Sequence, residues 1–233
     1  MIKETWYYKK LQDIYSSKDE RYQANLRSWN LTDCSPWAER IRNGICKHFD
    51  MNPNIAGIFD CCCGDGTILE CFRLSGFKVK GFDISEEFVE VAHKKGRDYV
   101  QLMDAADVEE NEPWYVVAFD AFEHLPIKTL DKLLDAINKF GLVLIASNYV
   151  SEFKPDKEKT PDIAIDSYDF YKEGDRWLPE STDMWEHFIM QPYNWWLQKL
   201  DKHLTNFVRI DPIPDEWDII GRPHLSLFLY KRK

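Results

Sequence analysis

The spacing of apolar positions along the chain changes at about residue 55. Before it, Trp6 to Tyr15 and, after Ser35 and Pro36, Trp37 toward Phe49 repeat apolar residues at helical spacing, so 1–50 read as an N-terminal helical cap. Beyond it, short apolar runs near 56–60, 78–83, 99–103, 114–119 and 142–147 alternate with helical patterns. Short runs separated by helical patterns predict an α/β fold, a mostly parallel sheet with helices on both sides. The helices carry their own boundaries: Thr67–Leu74 stops at Gly76, Glu86 to Lys95 follows Ser85 as N-cap and stops at Gly96, and Ile127–Phe140 stops at Gly141. Residues 150–190, rich in acids, lysines, prolines and aromatics without a period, break the alternation and read as an inserted lid. A helix from Pro192 to about Leu204 and strands at Phe207–Asp211 and Leu225–Lys231 follow. The chain thus divides into a cap (1–50), a core (51–149), the lid (150–190) and a C-terminal helix with two last strands (191–233).

Composition narrows the class. Over 233 residues, 40 acids against 30 Lys and Arg leave a net charge of −10, which disfavours nucleic acid and anionic membrane surfaces as partners. Six cysteines at 34, 46, 61, 62, 63 and 71, three of them consecutive, form neither a disulfide framework nor a CxxC metal site. Free thiols and the charged start MIKETWYYKKLQD, which lacks a signal peptide's apolar region, predict a cytoplasmic protein, and no apolar run reaches the roughly 18 residues of a membrane span. Cys61, Cys62 and Cys63 read as small buried apolar groups, with Cys61 and Cys63 on one face and Cys62 on the other.

Chemistry concentrates at the ends of the predicted strands. Ile58 to Thr67 spells a buried strand that ends in Asp60 and turns through Gly64-Asp65-Gly66 into a helix, a turn whose missing side chains let backbone approach a ligand. The next strand ends in Asp83, seventeen positions after Gly66, where an open α/β sheet places an acid that hydrogen-bonds a ribose diol. A dinucleotide fingerprint would have its third glycine at Leu69, which weighs against NAD or FAD. His124, after Glu123 at the end of the fourth predicted strand, and His187, just before the helix at Pro192, are candidate proton acceptors, with Glu123 as the acid beside the first. In the lid, Tyr168, Phe170, Tyr171, Trp177 and Trp185 alternate with acids, a composition suited to excluding water around a cation.

From Ile55 to Asn148 these motifs resemble the class I S-adenosylmethionine-dependent methyltransferases, in particular their small-molecule branch. The resemblance rests on Asp60 with Gly64-Asp65-Gly66, on Asp83, on Asp104, and on Ala118 to Leu125 with its Glu123-His124-Leu125. It implies a Rossmann-like, seven-stranded, mostly parallel sheet whose last strand pair is antiparallel, and S-adenosylmethionine as cofactor. By the same resemblance Asp60 sits near the methionine amino group, Asp83 on the ribose and Asp104 near the adenine amine. The cofactor set is then Asp60, Cys62, Gly64, Asp65, Gly66, Asp83, Ile84, Asp104, Ala105, Asp120 and Phe122, with no metal demanded. Two positions depart from the family pattern: Cys62 stands at its first glycine and Tyr115 at an acid of the fourth strand. The function implied is methyl transfer to an oxygen or nitrogen of a small molecule; a protein or nucleic-acid methyltransferase, a catalytically silent binding protein and an NAD-dependent oxidoreductase are the alternatives. The sequence carries no signal for oligomeric state.

Overall fold

The computed structural model describes residues 43, 46, 49–149, 189, 193–210 and 225–233. The lid apart from Ile189, and most of the cap, fall outside these residues; within the cap, Asn43, Cys46 and Phe49 are helical. The apolar runs after residue 55 are strands β1 (Gly57–Cys61), β2 (Val79–Asp83), β3 (Val100–Leu102), β4 (Trp114–Phe119) and β5 (Gly141–Tyr149), with β6 (Phe207–Arg209) and β7 (Leu225–Arg232) after them. The helices are α1 (Thr67–Leu74), α2 (Glu86–Lys94), α3 (Ile127–Phe140) and α4 (Tyr193–His203).

All seven strands join one sheet in the order β3-β2-β1-β4-β5-β7-β6. The first five are mutually parallel; β7 inserts between β5 and β6 and runs antiparallel to both. This is the predicted Rossmann-like architecture, with strand order reversing between β1 and β4, the place where open α/β sheets bind ligands beyond their carboxyl ends.

Both faces of the sheet are covered, which is why its strands read as continuous apolar runs. Successive residues go to opposite cores: Phe59, Val116, Ala118, Leu144, Ala146, Phe228 and Tyr230 pack with α3 and α4, whereas Ile58, Tyr115, Val117, Val143, Ile145, Leu227 and Leu229 pack with α1 and α2. Tyr115, at the position where the resemblance expects an acid, is buried in the second core, and its hydroxyl accepts from the Asn52 amide at 3.3 Å. On the other face His203 ties α4 to α3 through Asp131 at 3.1 Å and Asp135 at 2.8 Å. Among the described residues no helix is long and apolar enough to cross a membrane.

Two glycine signals act for different reasons. Gly76 and Gly96 close α1 and α2 with φ of 88° and 76°, the left-handed cap that glycine favours. Gly141 ends α3 with φ −69° and already begins β5; a Cβ there would lie 2.9 Å from the Ile137 carbonyl oxygen, so closeness rather than handedness demands glycine. The consecutive cysteines also depart from simple alternation. Cys61 and Cys62 pack against the first core and Cys63 against the second, because the strand ends at Cys61 and Cys62 turns into the left-handed region at φ 57°.

Candidate active site

β1, β2, β3 and β4 all deliver an acid at their carboxyl ends. Asp60 closes on β1 and Asp83 on β2; Asp104 follows β3 as the cap of a single 3₁₀ turn (Ala105–Asp107), its Oδ1 accepting from Ala106 N at 2.9 Å. Asp120 follows β4 and leads into a second 3₁₀ turn (Phe122–His124). Asp60, Asp83 and Asp104 are 2%, 7% and 6% exposed, so three carboxyl groups are gathered out of water at one rim.

Their surroundings differ. Burial, and secondarily the charge of Asp83, push the Asp60 carboxyl well above the usual carboxylate range. Among the described residues its Oδ2 has no hydrogen-bond partner. A carboxylate stripped of water without a partner costs several kcal/mol, so this atom awaits a donor. Asp83 is better satisfied: Oδ2 accepts from Gly64 N at 2.8 Å and Oδ1 from Ser85 N at 2.9 Å. Burial raises its pKa, while those amides, the Ile84 amide and the charge of His124 oppose the rise. Each carboxylate oxygen accepts two hydrogen bonds, so capacity remains on both. Burial also raises Asp104.

The turn between β1 and α1 is built from left-handed residues, with φ of 57° at Cys62, 56° at Gly64 and 74° at Gly66. A Cβ at Gly64 would meet nothing within 4 Å, so that glycine faces open space, whereas one at Gly66 would lie 2.6 Å from Val100 Cγ2. Gly64 therefore leaves room for a ligand and Gly66 leaves room for the protein. Cys62 adopts the conformation of the glycine it stands for, at a cost of about 1–2 kcal/mol for a residue with a Cβ. Its thiol is pushed up by burial and then by Asp83, Cys61, Asp60 and Asp104, away from the thiolate form.

The Asp65 side chain is engaged at the start of α1 and with Lys95. Its Oδ1 caps α1 through Thr67 N at 3.2 Å and Thr67 Oγ1 at 2.7 Å, and its Oδ2 takes Lys95 Nζ at 2.7 Å. Phe122 is fully buried in the first core, Ala105 is 4% exposed, and Ile84 packs half-buried against that core. Leu69, where a dinucleotide fingerprint has glycine, fits against β2 because the glycine is on the strand: a Cβ at Gly81 would lie 2.5 Å from Leu69 Cδ1. The close helix–strand contact is made with the opposite assignment of small and large residue.

At the end of β4, the Asp120 amide donates to the Ser147 carbonyl at 2.9 Å, locking β4 to β5, with Asp120 at φ 54°. Glu123 is fully buried; Asp120 and His124 are half-buried. One ligand atom from each of Asp120, Glu123 and His124 lies within 4.8 Å of the others, a proximity that the sequence reading, which demanded no metal, did not anticipate. Ile189 donates its N–H to the Glu123 carbonyl at 3.0 Å, which puts residue 189 at this corner. His187 lies outside the described residues.

The profile of a family described as "Methyltransferase domain" matches residues 47–213, most of the chain and all of this rim. The chain belongs to this methyltransferase family. No curated protein matches its sequence. Solved structures show the same fold. The magnesium protoporphyrin IX methyltransferase ChlM of Synechocystis PCC 6803, with bound S-adenosylhomocysteine, is 13% identical, covers 97% of this chain and 100% of its own, and has a TM-score of 0.60. The plantazolicin methyltransferase BpumL with S-adenosylhomocysteine is 15% identical over 95% of this chain and 93% of its own, at 0.60. A S-adenosylmethionine-dependent methyltransferase of Clostridium acetobutylicum ATCC 824 is 15% identical over 97% and 98%, at 0.57. The methyltransferase assignment, the family and the sheet topology therefore agree.

Proposed function

We propose that this methyltransferase binds S-adenosylmethionine across the rim of β1, β2 and β3 and moves its methyl group to an oxygen or nitrogen of a small molecule. The carrying observation is the buried Asp60 Oδ2, without a partner among the described residues, together with a Gly64 whose missing Cβ leaves open space. An amino acid's ammonium group is the donor this carboxylate lacks. The pattern of the other acids fits the rest of the cofactor: Asp83 retains acceptor capacity for a ribose diol, and Asp104 stands at the next strand end for the adenine amine. Gly64 and Gly66 present backbone, as do Asp65 and Phe122, whose side chains are engaged elsewhere.

When bound, the sulfonium supplies an activated methyl group, which leaves alignment, water exclusion and removal of one proton to the protein. The corner of Asp120, Glu123 and His124 suits the proton. A half-buried imidazole beside two carboxylates accepts a proton from a hydroxyl or ammonium and is stabilised by them once charged. Two neighbours named for magnesium protoporphyrin IX and plantazolicin, neither of them a nucleic acid, support a small acceptor, as does the net charge of −10.

Asp60→Asn tests the reading. The change keeps the volume and removes the charge, so affinity for S-adenosylmethionine is expected to fall about 10–100-fold, the worth of a charge-assisted hydrogen bond of about 1.5–3 kcal/mol. Because the folded-state pKa of Asp60 is raised, its ionisation costs stability as pH rises above the unfolded-state value. The variant is therefore expected to melt higher than the wild type near neutral pH while binding less. Unchanged affinity by calorimetry contradicts the placement.

A divalent cation held by Asp120, Glu123 and His124 is the second reading, favoured by the 4.8 Å grouping of their ligand atoms. Two carboxylates and an imidazole suit Mn²⁺ or Zn²⁺. Turnover that survives exhaustive EDTA treatment leaves the imidazole as proton acceptor; turnover lost to EDTA and restored by Mn²⁺ or Zn²⁺ assigns the corner to a metal.

A further inference from the structure

Behind the glycine turn lies a buried arginine that the chemistry above does not use. The Arg97 side chain is 2% exposed, and its Nη1 sits 2.9 Å from the Asp65 carbonyl oxygen, 3.1 Å from Thr67 Oγ1 and 3.0 Å from Asp65 Oδ2. One guanidinium nitrogen thus reaches the backbone of the turn, its side chain and the first residue of α1. Arg97 is itself held at both ends: its N–H donates to the Ala92 carbonyl at 2.9 Å and its carbonyl accepts from Val100 N at 3.1 Å. Lys95 adds the second cation on Asp65 Oδ2, and Val100 fills the space that a Cβ on Gly66 would need. The segment 95–100 therefore backs the turn along its length.

The turn needs such backing. Cys62, Gly64 and Gly66 all adopt φ between 56° and 74°, and glycine reaches other conformations as readily. In front, Asp83 holds the Gly64 amide and the Phe82 carbonyl accepts from Cys63 N; behind, Lys95 and Arg97 reach Asp65. The Asp65 carboxyl, though burial pushes it up, is held below the usual range by hydrogen bonds from Lys95 and Thr67 and by the charge of Arg97, so it meets them as a carboxylate near neutral pH.

We propose that Arg97 is a positioning residue for the cofactor turn: from behind the crevice, it keeps residues 62–67 in the one backbone path that leaves Gly64 open. The proposal rests on reading the crevice as the S-adenosylmethionine site. A turn competent for only a fraction of the time binds more weakly by that fraction, so loss of the clamp raises the dissociation constant without touching the chemical step.

Arg97→Met keeps an unbranched apolar stem in the buried site and removes every donor. Calorimetry with S-adenosylhomocysteine is expected to show affinity lower by about tenfold or more, with kcat at saturating S-adenosylmethionine within about threefold of wild type, because only the competent fraction has changed. Arg97→Lys is expected to recover part of the loss, returning a charge but not the reach to three acceptors. In the ligand-free protein, amide exchange at Gly64 and Gly66 should quicken in Arg97→Met while that of Val116 and Leu144 in the sheet stays as in wild type. Should Arg97→Met fail to fold, Thr67→Val, which removes one acceptor, is expected to shift affinity and exchange in the same direction by less. Wild-type affinity together with wild-type exchange at Gly64 and Gly66 in a folded variant overturns the proposal. If the wild type binds no S-adenosylhomocysteine, the reading of the site fails. The exchange comparison then decides the clamp separately, and unchanged exchange overturns it.

Discussion

Single-turnover methyl transfer by the His124→Asn protein is expected to fall by about 10²–10⁴ at saturating cofactor, the usual contribution of a positioned proton acceptor. In the proposed role His124 is held by its backbone: its N–H donates to the Ala121 carbonyl at 3.1 Å, closing a 3₁₀ turn at the carboxyl end of β4. The charge of His124 reaches Asp83, so the imidazole and the β2 acid share one electrostatic environment. Asn keeps hydrogen bonding and approximate size but takes up no proton. Cofactor affinity should therefore stay near wild type while the chemical step slows, and the acidic limb of the pH–rate profile should disappear. An unchanged rate and profile removes His124 from the chemistry. A loss that follows EDTA sensitivity in the wild type transfers its role to metal ligation.

Asp83→Ala is expected to weaken cofactor binding about 100-fold or more, since a charge-assisted hydrogen bond contributes about 1.5–3 kcal/mol and a ribose diol offers two donors. The structure adds a second cost. Asp83 also holds the Gly64 amide at 2.8 Å and the Ser85 amide at 2.9 Å, at the start of α2, where Ser85 Oγ accepts from Phe88 N. Removing the carboxylate releases the turn and the helix start together, so the melting temperature should drop as well. Asp83→Asn is not a mild substitute: one of its two positions becomes an NH₂ group facing an N–H that had an acceptor. Calorimetric titration of both variants checks this, and affinity within threefold of wild type in Asp83→Ala contradicts the ribose assignment.

Much of this was legible in the sequence because burial on both faces leaves a plain signature. The runs at 56–60, 78–83, 114–119 and 142–147 match β1, β2, β4 and β5 to within two residues, and the Ser85 cap and the α1 and α3 bounds fall where propensity puts them. The predicted 99–103 strand narrows to Val100–Leu102, an edge strand paired on one side only. The last two strands followed from resemblance more than from periodicity, and the insertion of β7 between β5 and β6 was not legible, since local pattern does not encode which neighbour a strand selects.

The site divides in the same way. Asp60 and Asp83 could be read as acids ending apolar runs, and Asp104 followed from the resemblance. Arg97 could not, because a basic residue after Gly96 looks like a solvated loop until the fold closes over it. Nor could the engagement of Asp65, whose partners Lys95 and Arg97 lie some thirty positions away. The grouping of Asp120, Glu123 and His124 depends on a 3₁₀ turn too short to leave a periodic trace.

A crystal structure of the protein with S-adenosylhomocysteine tests the central claim most directly. The account predicts the amino-acid end of the ligand with its ammonium on Asp60 Oδ2, the ribose on Asp83, the adenine beside Asp104, and the backbone of Gly64 against the ligand. Density for the ligand away from Asp60 and Asp83, or no binding at millimolar concentration, would contradict it.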